Sequence, residues 1–353
     1  MFINLKNFKG KKIMKLSNKF FGAFLASILI GLSSAAYSFT ACQVTDIGGV
    51  DDKGFNATAW KGVQDAVAKH GIGSKLLESK AETDYVPHLN SFVAEGCDVI
   101  VSVGFLMGEA TSDAAKKNPN GKFAIVDFAY DPTISNVLGL IYNTDEAAFL
   151  AGYLAAGVSK TGIVGTFGGI NIPPVTIFMD GFAAGVKHYN KTKGTNVAVL
   201  GWDPEAKEGL FTNNFSSLDD GRAFAQNLYD EGADIVMPVA GPVGLGSAAL
   251  ASELGTDSLK IIGVDVDQYV LDTKNASVYL TTVEKGMDAT VLGAIEAAKN
   301  GTFAGGVYVG TLANNGVRIA PYHDQASAVS NGLNNEIQKL KSSIINGFLS
   351  VKN

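Results

Sequence analysis

The sequence predicts an α/β protein with two similar lobes, each built around a parallel β-sheet that helices cover on both faces. Short apolar, β-branched segments alternate with helical segments, and they lack the period-two alternation of half-buried strands. The chain also repeats itself, because three patterns of its first half recur in the same order in its second half. A length of 353 residues, of which 46% are hydrophobic, is sufficient for two such cores.

Each repeated pattern combines a strand with its flanking turn. The pairs are 44–49 (VTDIGG) with 165–169 (GTFGG), 94–100 (AEGCDVI) with 230–236 (DEGADIV), and 122–127 (KFAIVD) with 260–265 (KIIGVD). Ligands of open parallel sheets bind beyond the carboxyl ends of the strands. We therefore expect the strand-end carboxylates Asp46, Asp127 and Asp265 to converge on one cleft between the lobes.

The first 38 residues have the composition of a secretory signal. They contain six Lys and no Asp or Glu, and an apolar run at 20–32 is too short for a comfortable membrane span. Met14 is an alternative start. Cleavage after Ser38 fits the small-x-small pattern of 36–38, with 34–36 as the alternative, and predicts a periplasmic or secreted protein.

The two cysteines allow three interpretations. Cys42 follows the apolar run, as a lipidated cysteine would, but it lies within the predicted first strand and would leave no tether between membrane and fold. Lipid anchoring is therefore the less favoured interpretation. Cys97 precedes another strand, 99–103. We expect two buried thiols, with a disulfide between them as the alternative.

Composition excludes several functional classes. The net charge of −6 becomes −12 once the signal leaves, because 22 of the 28 Lys and Arg then face 34 Asp and Glu. Such a chain offers no electrostatic footprint for nucleic acid and disfavours anionic ligands. The four His are scattered, no Cys/His spacing suggests zinc, and the Gly-rich turn at 241–247 lacks the lysine of a P-loop. We expect no metal and no cofactor.

Three further residues stand out by position. Phe55 lies in the loop GGVDDKGFN (48–56), where a ring has no obvious core to fill, and Phe215 has a similar place in the second half. Such rings offer flat apolar faces for stacking. Lys285 comes directly after a predicted strand at 278–282. Each carboxylate could instead cap a helix, and Lys285 could be surface charge.

Several segments together resemble the basic membrane protein family, whose members are PnrA-like purine nucleoside-binding proteins of ABC transporters. The segments are 45–56 (TDIGGVDDKGFN), 82–85 (ETDY), 143–153 (NTDEAAFLAGY), 181–185 (GFAAG) and 263–265 (GVD). The resemblance covers roughly residues 41–321. It implies a type I periplasmic-binding-protein clamshell of two Rossmann-like lobes joined by a multi-strand hinge, with a purine nucleoside as ligand and a membrane permease as partner.

The resemblance also implies roles for individual residues. Phe55 and Phe215 would sandwich the base, with Trp202 or Phe211 as alternatives for the second ring. Asp52 and Asp127 would hold the base edge, and Asn56 lies in the same loop as Phe55. The ribose hydroxyls would be held by Asp46, Gly241, Asp265 and Lys285.

The clamshell that the resemblance implies predicts the following domain boundaries. We expect a first lobe at 39–144 with a return segment at about 268–300, a second lobe at 145–267 with a contribution from about 301–330, and a C-terminal helix and tail at 331–353. The expected hinge crossings lie at 143–145, 266–269 and 279–283.

Two other functional classes remain open at this point. One is a clamshell receptor or sensor for a sugar or another small neutral ligand. The other is a nucleoside-cleaving enzyme, which the absence of a His base or a metal-ligand run makes the weaker alternative. For the preferred reading we expect a monomer that binds no nucleic acid.

Overall fold

The computed structural model describes residues 39–352, so the predicted signal sequence lies outside the described residues. The elements of the first half are β1 (Thr40–Thr45), α1 (Phe55–His70), β2 (Gly73–Glu78), α2 (Tyr85–Ala94), β3 (Val99–Val103), α3 (Gly108–Lys117), β4 (Phe123–Val126), β5 (Val137–Tyr142) and α4 (Thr144–Val158). Short 3-10 turns at Glu82–Asp84 and Phe105–Met107 precede α2 and α3.

The second half continues the alternation. Its elements are β6 (Ile163–Gly168), α5 (Pro173–Lys193), β7 (Ala198–Leu200), β8 (Trp202–Asp203), β9 (Glu208–Gly209), α6 (Leu218–Asp230), β10 (Ile235–Val239), α7 (Val243–Leu254), β11 (Lys260–Asp265), α8 (Gln268–Leu271), β12 (Tyr279–Lys285), α9 (Met287–Lys299), β13 (Gly306–Gly310), β14 (Val317–Ile319) and α10 (Asn331–Ile345). Two 3-10 turns, Ala276–Val278 and His323–Ala328, flank this last group of strands.

Two six-stranded sheets form the two lobes. The first has the order β13-β5-β4-β3-β1-β2 and is parallel throughout, and the second has the order β14-β12-β11-β10-β6-β7 with only β14 antiparallel. In the first sheet, residues of the central strands β1, β3 and β4 alternate between two different hydrophobic clusters, so both faces of the sheet centre are buried. The predicted α/β class with parallel, doubly covered sheets is confirmed.

Within residues 39–352, the chain passes between the lobes three times. It crosses at Asn143, between β5 and α4, at Gly286, between β12 and α9, and at 311–316, between β13 and β14. Backbone hydrogen bonds tie these crossings together, from Asn143 N to the Gly310 carbonyl (2.8 Å) and from Gly286 N to the Gly316 carbonyl (2.9 Å). The multi-strand hinge is therefore a bundle of adjacent backbones rather than one linker.

The crossings differ in part from the sequence-based expectation. Helix α9 packs on α1 of the first lobe, as the predicted return segment requires, but β12 pairs with β11 in the second sheet and β13 pairs with β5 in the first. Residues 266–269 and 279–283 are therefore not crossings. Strands β12 and β13 are both short apolar segments, and their composition does not indicate which sheet each strand joins.

The segments 143–153 and 181–185 pack helices against each other rather than line a site. A Cβ at Gly152 would lie 2.0 Å from the Phe182 carbonyl oxygen, and one at Gly185 would lie 2.0 Å from that of Phe149. Helices α4 and α5 therefore approach at backbone distance, which requires glycine at both positions. Helix α4 begins directly after the first crossing.

The expectation of two buried thiols is wrong, because Cys42 and Cys97 form a disulfide with a Cα–Cα distance of 6.1 Å. Strands β1 and β3 are neighbours, and Cys97 lies just before β3, so the two side chains meet on the same face of the sheet. The bond also occupies the Cys42 sulfur that a lipid anchor would need. Within residues 39–352, no helix is both long enough and apolar enough to cross a bilayer.

Candidate functional site

The nine residues predicted from the sequence all line one cavity between the lobes. The cavity holds about 630 Å³ of empty space, a figure that includes the solvent-open mouth of the cleft. The predicted residues are Asp46, Asp52, Phe55, Asn56, Asp127, Phe215, Gly241, Asp265 and Lys285. The carboxyl ends of β1, β4 and β11 carry the three strand-end aspartates, as the duplicated patterns predict.

Asp46 and Asn56 form a polar pair on the first-lobe wall. The Asn56 Nδ2 donates to Asp46 Oδ1 over 2.7 Å, and the Gly48 amide donates to the same oxygen over 3.0 Å. The Asn56 Oδ1 is buried and has no hydrogen-bond partner among the described residues. Burial raises the pKa of Asp46 although both hydrogen bonds lower it. Both residues line the cavity, and their carboxylate and amide oxygens are hydrogen-bond acceptors.

Asp52 organises the loop in front of α1. Its Oδ1 accepts the amides of Gly54 and Ala57, both at 3.0 Å, and its Oδ2 accepts the Asn56 amide at 2.7 Å. These are amides at the start of a helix, which need acceptors. Burial raises the pKa of Asp52 to about 6, with the three amides acting in the opposite direction. Most of its acceptor capacity is therefore used within the loop that presents Phe55.

Lys285 joins two strand-end carboxylates from opposite lobes. Its Nζ lies 2.6 Å from Asp127 Oδ2 and 3.4 Å from Asp265 Oδ1, and its side chain is only 4% exposed. Burial alone would lower the pKa of Lys285, but the two carboxylates outweigh burial and hold it above its usual value. Burial raises the pKa of Asp127, and Lys285 opposes that rise. The result is a compact acid–base cluster that spans the cleft.

Asp127 and Asp265 share an uncommon backbone conformation. Their φ angles are 64° and 73°, in the left-handed region that non-glycine residues adopt at a cost of roughly 1–2 kcal/mol. The two residues end equivalent strands, β4 and β11, of the duplicated lobes. The same strained turn thus directs a carboxylate into the cleft from each side, and such strain clusters at functional positions.

Aromatic rings line the cavity from both lobes. Phe55 contributes from the first lobe, and Phe215 and Phe178 contribute from the second. Lys285 Nζ lies 5.1 Å from the ring centres of both Phe55 and Phe178, within the range of a cation–π contact. Phe178 was missed because its spacing within α5 is that of an ordinary core residue.

The two alternative rings lie away from the cavity lining. Trp202 packs edge-on against Phe211 at 6.0 Å between ring centres, and its Nε1 donates to Asp180 over 3.0 Å. Phe215 lies directly over Gly169, where a Cβ would meet its Cε1 at 2.2 Å. Phe215 is therefore the second-lobe ring that its loop places in the cleft.

The remaining lining is apolar or backbone. These residues are Gly48, Gly104, Phe105, Leu106, Ile172, Pro174, Val175, Val239, Ala240, Pro242 and Val264. Phe105 could have been found, because it occupies in the first repeat the Gly-rich turn that contains Gly241 in the second. Four carboxylates and one ammonium make the site acceptor-rich and hostile to anions, and its apolar walls suit a flat neutral ligand.

Comparison with known proteins places the chain in a family. Residues 39–353 match the family described as ABC transporter substrate-binding protein PnrA-like. The chain is 34% identical to basic membrane protein A of Borreliella burgdorferi, over 85% of this chain and 84% of the relative. It is 32% identical to the ABC transporter nucleoside-binding protein BmpA of Lactococcus lactis, over 88% of each chain.

A solved structure confirms the predicted fold. The crystal structure of an ABC transporter system solute-binding protein from Aeropyrum pernix K1 has a TM-score of 0.79 at 24% identity, covering 88% of this chain and 92% of that chain. The two-lobed periplasmic-binding fold predicted from the resemblance is thus the observed one. This chain belongs to the PnrA-like family of ABC transporter substrate-binding proteins.

Proposed function

We propose that this protein captures purine nucleosides between its lobes and delivers them to an ABC importer. The observation that carries the proposal is the combination, in one cavity, of rings from both lobes with a lysine–carboxylate cluster. The rings suit a purine base, and the cluster suits a ribose. The nucleoside-binding relative from Lactococcus lactis supports the same ligand class.

The ribose hydroxyls would bind at the Lys285 cluster. The carboxylates of Asp127 and Asp265 can accept hydrogen bonds from adjacent hydroxyls, and Lys285 can donate one, so each contact is charge-assisted. Gly241 lies at the start of α7 and would contribute backbone contacts. A ligand without the hydroxyls would lose these charge-assisted hydrogen bonds, each of which contributes about 1.5–3 kcal/mol.

The base would lie between Phe55 and Phe215, with its edge at the Asp46–Asn56 pair. This assignment moves Asp46 from the ribose, where the resemblance put it, to the base edge, and it replaces Asp52 and Asp127 there. The Asp52 oxygens accept three backbone amides, and Asp127 is bound to Lys285. The unpartnered Asn56 Oδ1 and Asp46 together accept hydrogen bonds, so they suit an N–H edge such as that of inosine or guanosine.

Capture would follow from closure of the lobes about the three crossings. A ligand that contacts both lobes stabilises the closed form in proportion to its differential affinity for that form. Delivery to a membrane permease requires an extracytoplasmic location, in agreement with the basic, acid-free sequence of residues 1–38. We propose that the mature protein acts there as a monomer, without a lipid on Cys42.

A thermal-shift panel tests the proposal. The mature protein is heated with inosine, guanosine, adenosine, hypoxanthine, ribose and inosine monophosphate, and each mixture is then chromatographed for released base. We expect the nucleosides to raise the melting temperature more than the base, the pentose or the nucleotide, without cleavage. A ribose shift equal to the inosine shift would favour the sugar receptor, and accumulation of hypoxanthine from inosine would favour the enzyme.

A further inference from the structure

Gln268 connects the two lobes without lining the cavity. It follows β11 as the first residue of the short helix α8, and it is 8% exposed. Its Nε2 donates to the carbonyl oxygen of Lys53 over 3.2 Å. Lys53 belongs to the first-lobe loop that presents Phe55, whereas Gln268 is carried by the second sheet. This hydrogen bond therefore spans the cleft from outside the binding space.

The second sheet holds Gln268 in place. Its backbone amide donates to the Thr282 Oγ1 over 3.3 Å, and its stem lies flat on the sheet over Gly263. A Cβ at Gly263 would lie 2.8 Å from the Gln268 Cγ. The amide group is thus directed at the opposite lobe by the sheet beneath it.

The receiving loop is equally well defined. Lys53 has a φ of 51°, and the next residue, Gly54, is anchored through its amide to the buried Asp52 carboxylate. Because Asp52 also holds the amides of Asn56 and Ala57, the Lys53 carbonyl and the Phe55 ring belong to one rigid unit. Fixing the carbonyl therefore fixes the ring on the cleft.

A second polar contact that spans the cleft differs in one respect. The Lys285–Asp127 ion pair lies inside the cavity, where ligand hydroxyls would compete for the same atoms. The Gln268–Lys53 bond has no such competitor. Separation of the lobes would break this hydrogen bond, because its two residues belong to different lobes.

We propose that Gln268 is a positioning residue that latches the closed lobes and thereby sets how long any bound nucleoside stays. The inference rests on the proposed function and deepens it. A latch outside the cavity acts on the closed state alone, so it slows release equally for every ligand and leaves the choice among ligands unchanged. The Gln268 Oε1 is buried without a partner among the described residues, so it could form a hydrogen bond with water when the lobes open.

The test compares Gln268→Met with Gln325→Met by stopped-flow release of inosine and guanosine. Gln325 is a matched control, because it is 7% exposed and its Nε2 donates to the Ser277 carbonyl within the second lobe. For Gln268→Met we expect release about five- to tenfold faster for both ligands, equivalent to one hydrogen bond. Gln325→Met should leave release rates unchanged even if it lowers the melting temperature.

Gln268→Glu makes the test independent of any ligand. Its carboxylate would face the Lys53 carbonyl and repel it, so the radius of gyration of the unliganded protein in X-ray scattering should rise above that of the wild type. The latch is refuted if that radius is unchanged or if release by Gln268→Met is within twofold of wild type. If the wild type binds no nucleoside, the proposed function fails, and the scattering result still decides whether Gln268 holds the lobes closed.

Discussion

Replacement of Lys285 by methionine should destabilise the fold strongly at neutral pH. The ammonium group is 4% exposed and lies 2.6 Å from Asp127 and 3.4 Å from Asp265. Methionine fills a similar volume but leaves two buried carboxylates without their cation. Removal of one partner of a buried ion pair costs about 3–5 kcal/mol, so we expect the free energy of unfolding to fall by about that amount.

The loss should depend on pH in a defined direction. Lys285 opposes the burial-induced rise in the pKa of Asp127, so its removal moves that pKa further above the unfolded value. The native state then binds more protons than the unfolded state, and stability falls as pH rises. Lys285→Met should therefore be closer to wild type at pH 5 than at pH 7. Addition of Asp127→Asn should restore part of the lost stability at pH 7.

Urea unfolding followed by tryptophan fluorescence measures both effects. Lys61→Met is the control, because the Lys61–Asp65 pair lies on the surface of α1 and such pairs contribute about 0–1 kcal/mol. The reasoning is refuted if Lys285→Met is as stable as Lys61→Met at pH 7, or if its deficit grows on acidification.

Three further predictions concern the rings and the disulfide. Phe55→Ala should weaken inosine binding in calorimetry by about 1–3 kcal/mol through lost stacking, whereas Phe348→Ala, at an 86% exposed position, should not; equal affinities would remove Phe55 from the site. Gly169→Ala should displace the Phe215 ring, because the added Cβ would lie 2.2 Å from it, and should lower the affinity for inosine at least tenfold. An unchanged affinity would show that the position of this ring is not critical. The double variant Cys42→Ala/Cys97→Ala should lose about 4 kcal/mol of unfolding free energy, because the disulfide closes a loop with a sequence separation of 55. A reductant should cause the same loss in the wild type and none in the variant. A wild type whose stability is unchanged under full reduction would contradict this prediction.

The duplicated sequence patterns predicted the location of the site more fully than its internal contacts. A repeat of strand followed by carboxylate places Asp46, Asp127 and Asp265 at equivalent strand ends, and the topology of parallel sheets brings those ends together. No local sequence feature, however, distinguishes a carboxylate that binds a ligand from one that caps a helix. Asp52 lies at the right place for either role, and its three backbone partners become visible only in three dimensions.

The remaining differences have related causes. Cysteine pairing depends on which strands are neighbours, and the adjacency of β1 and β3 is not written in the segments that contain Cys42 and Cys97. Strand β12 pairs parallel with β11 after the crossover at 266–278, which contains α8 and a 3-10 turn, although the composition of β12 fits either sheet. Phe178 was overlooked because an aromatic residue on a buried helix face has the same spacing whether it meets a core or a cavity.

The most direct test of the account is a calorimetric titration of the mature protein with inosine, 2′-deoxyinosine and ribose. The account predicts tight binding of inosine, because it alone combines a stacking base with both hydroxyls for the Asp127–Lys285–Asp265 cluster. It predicts at least tenfold weaker binding of 2′-deoxyinosine, since one hydrogen bond to a charged group is lost, and little binding of ribose. Equal affinity for inosine and ribose, or no binding of any nucleoside, would contradict the proposal that the cleft recognises base and sugar together.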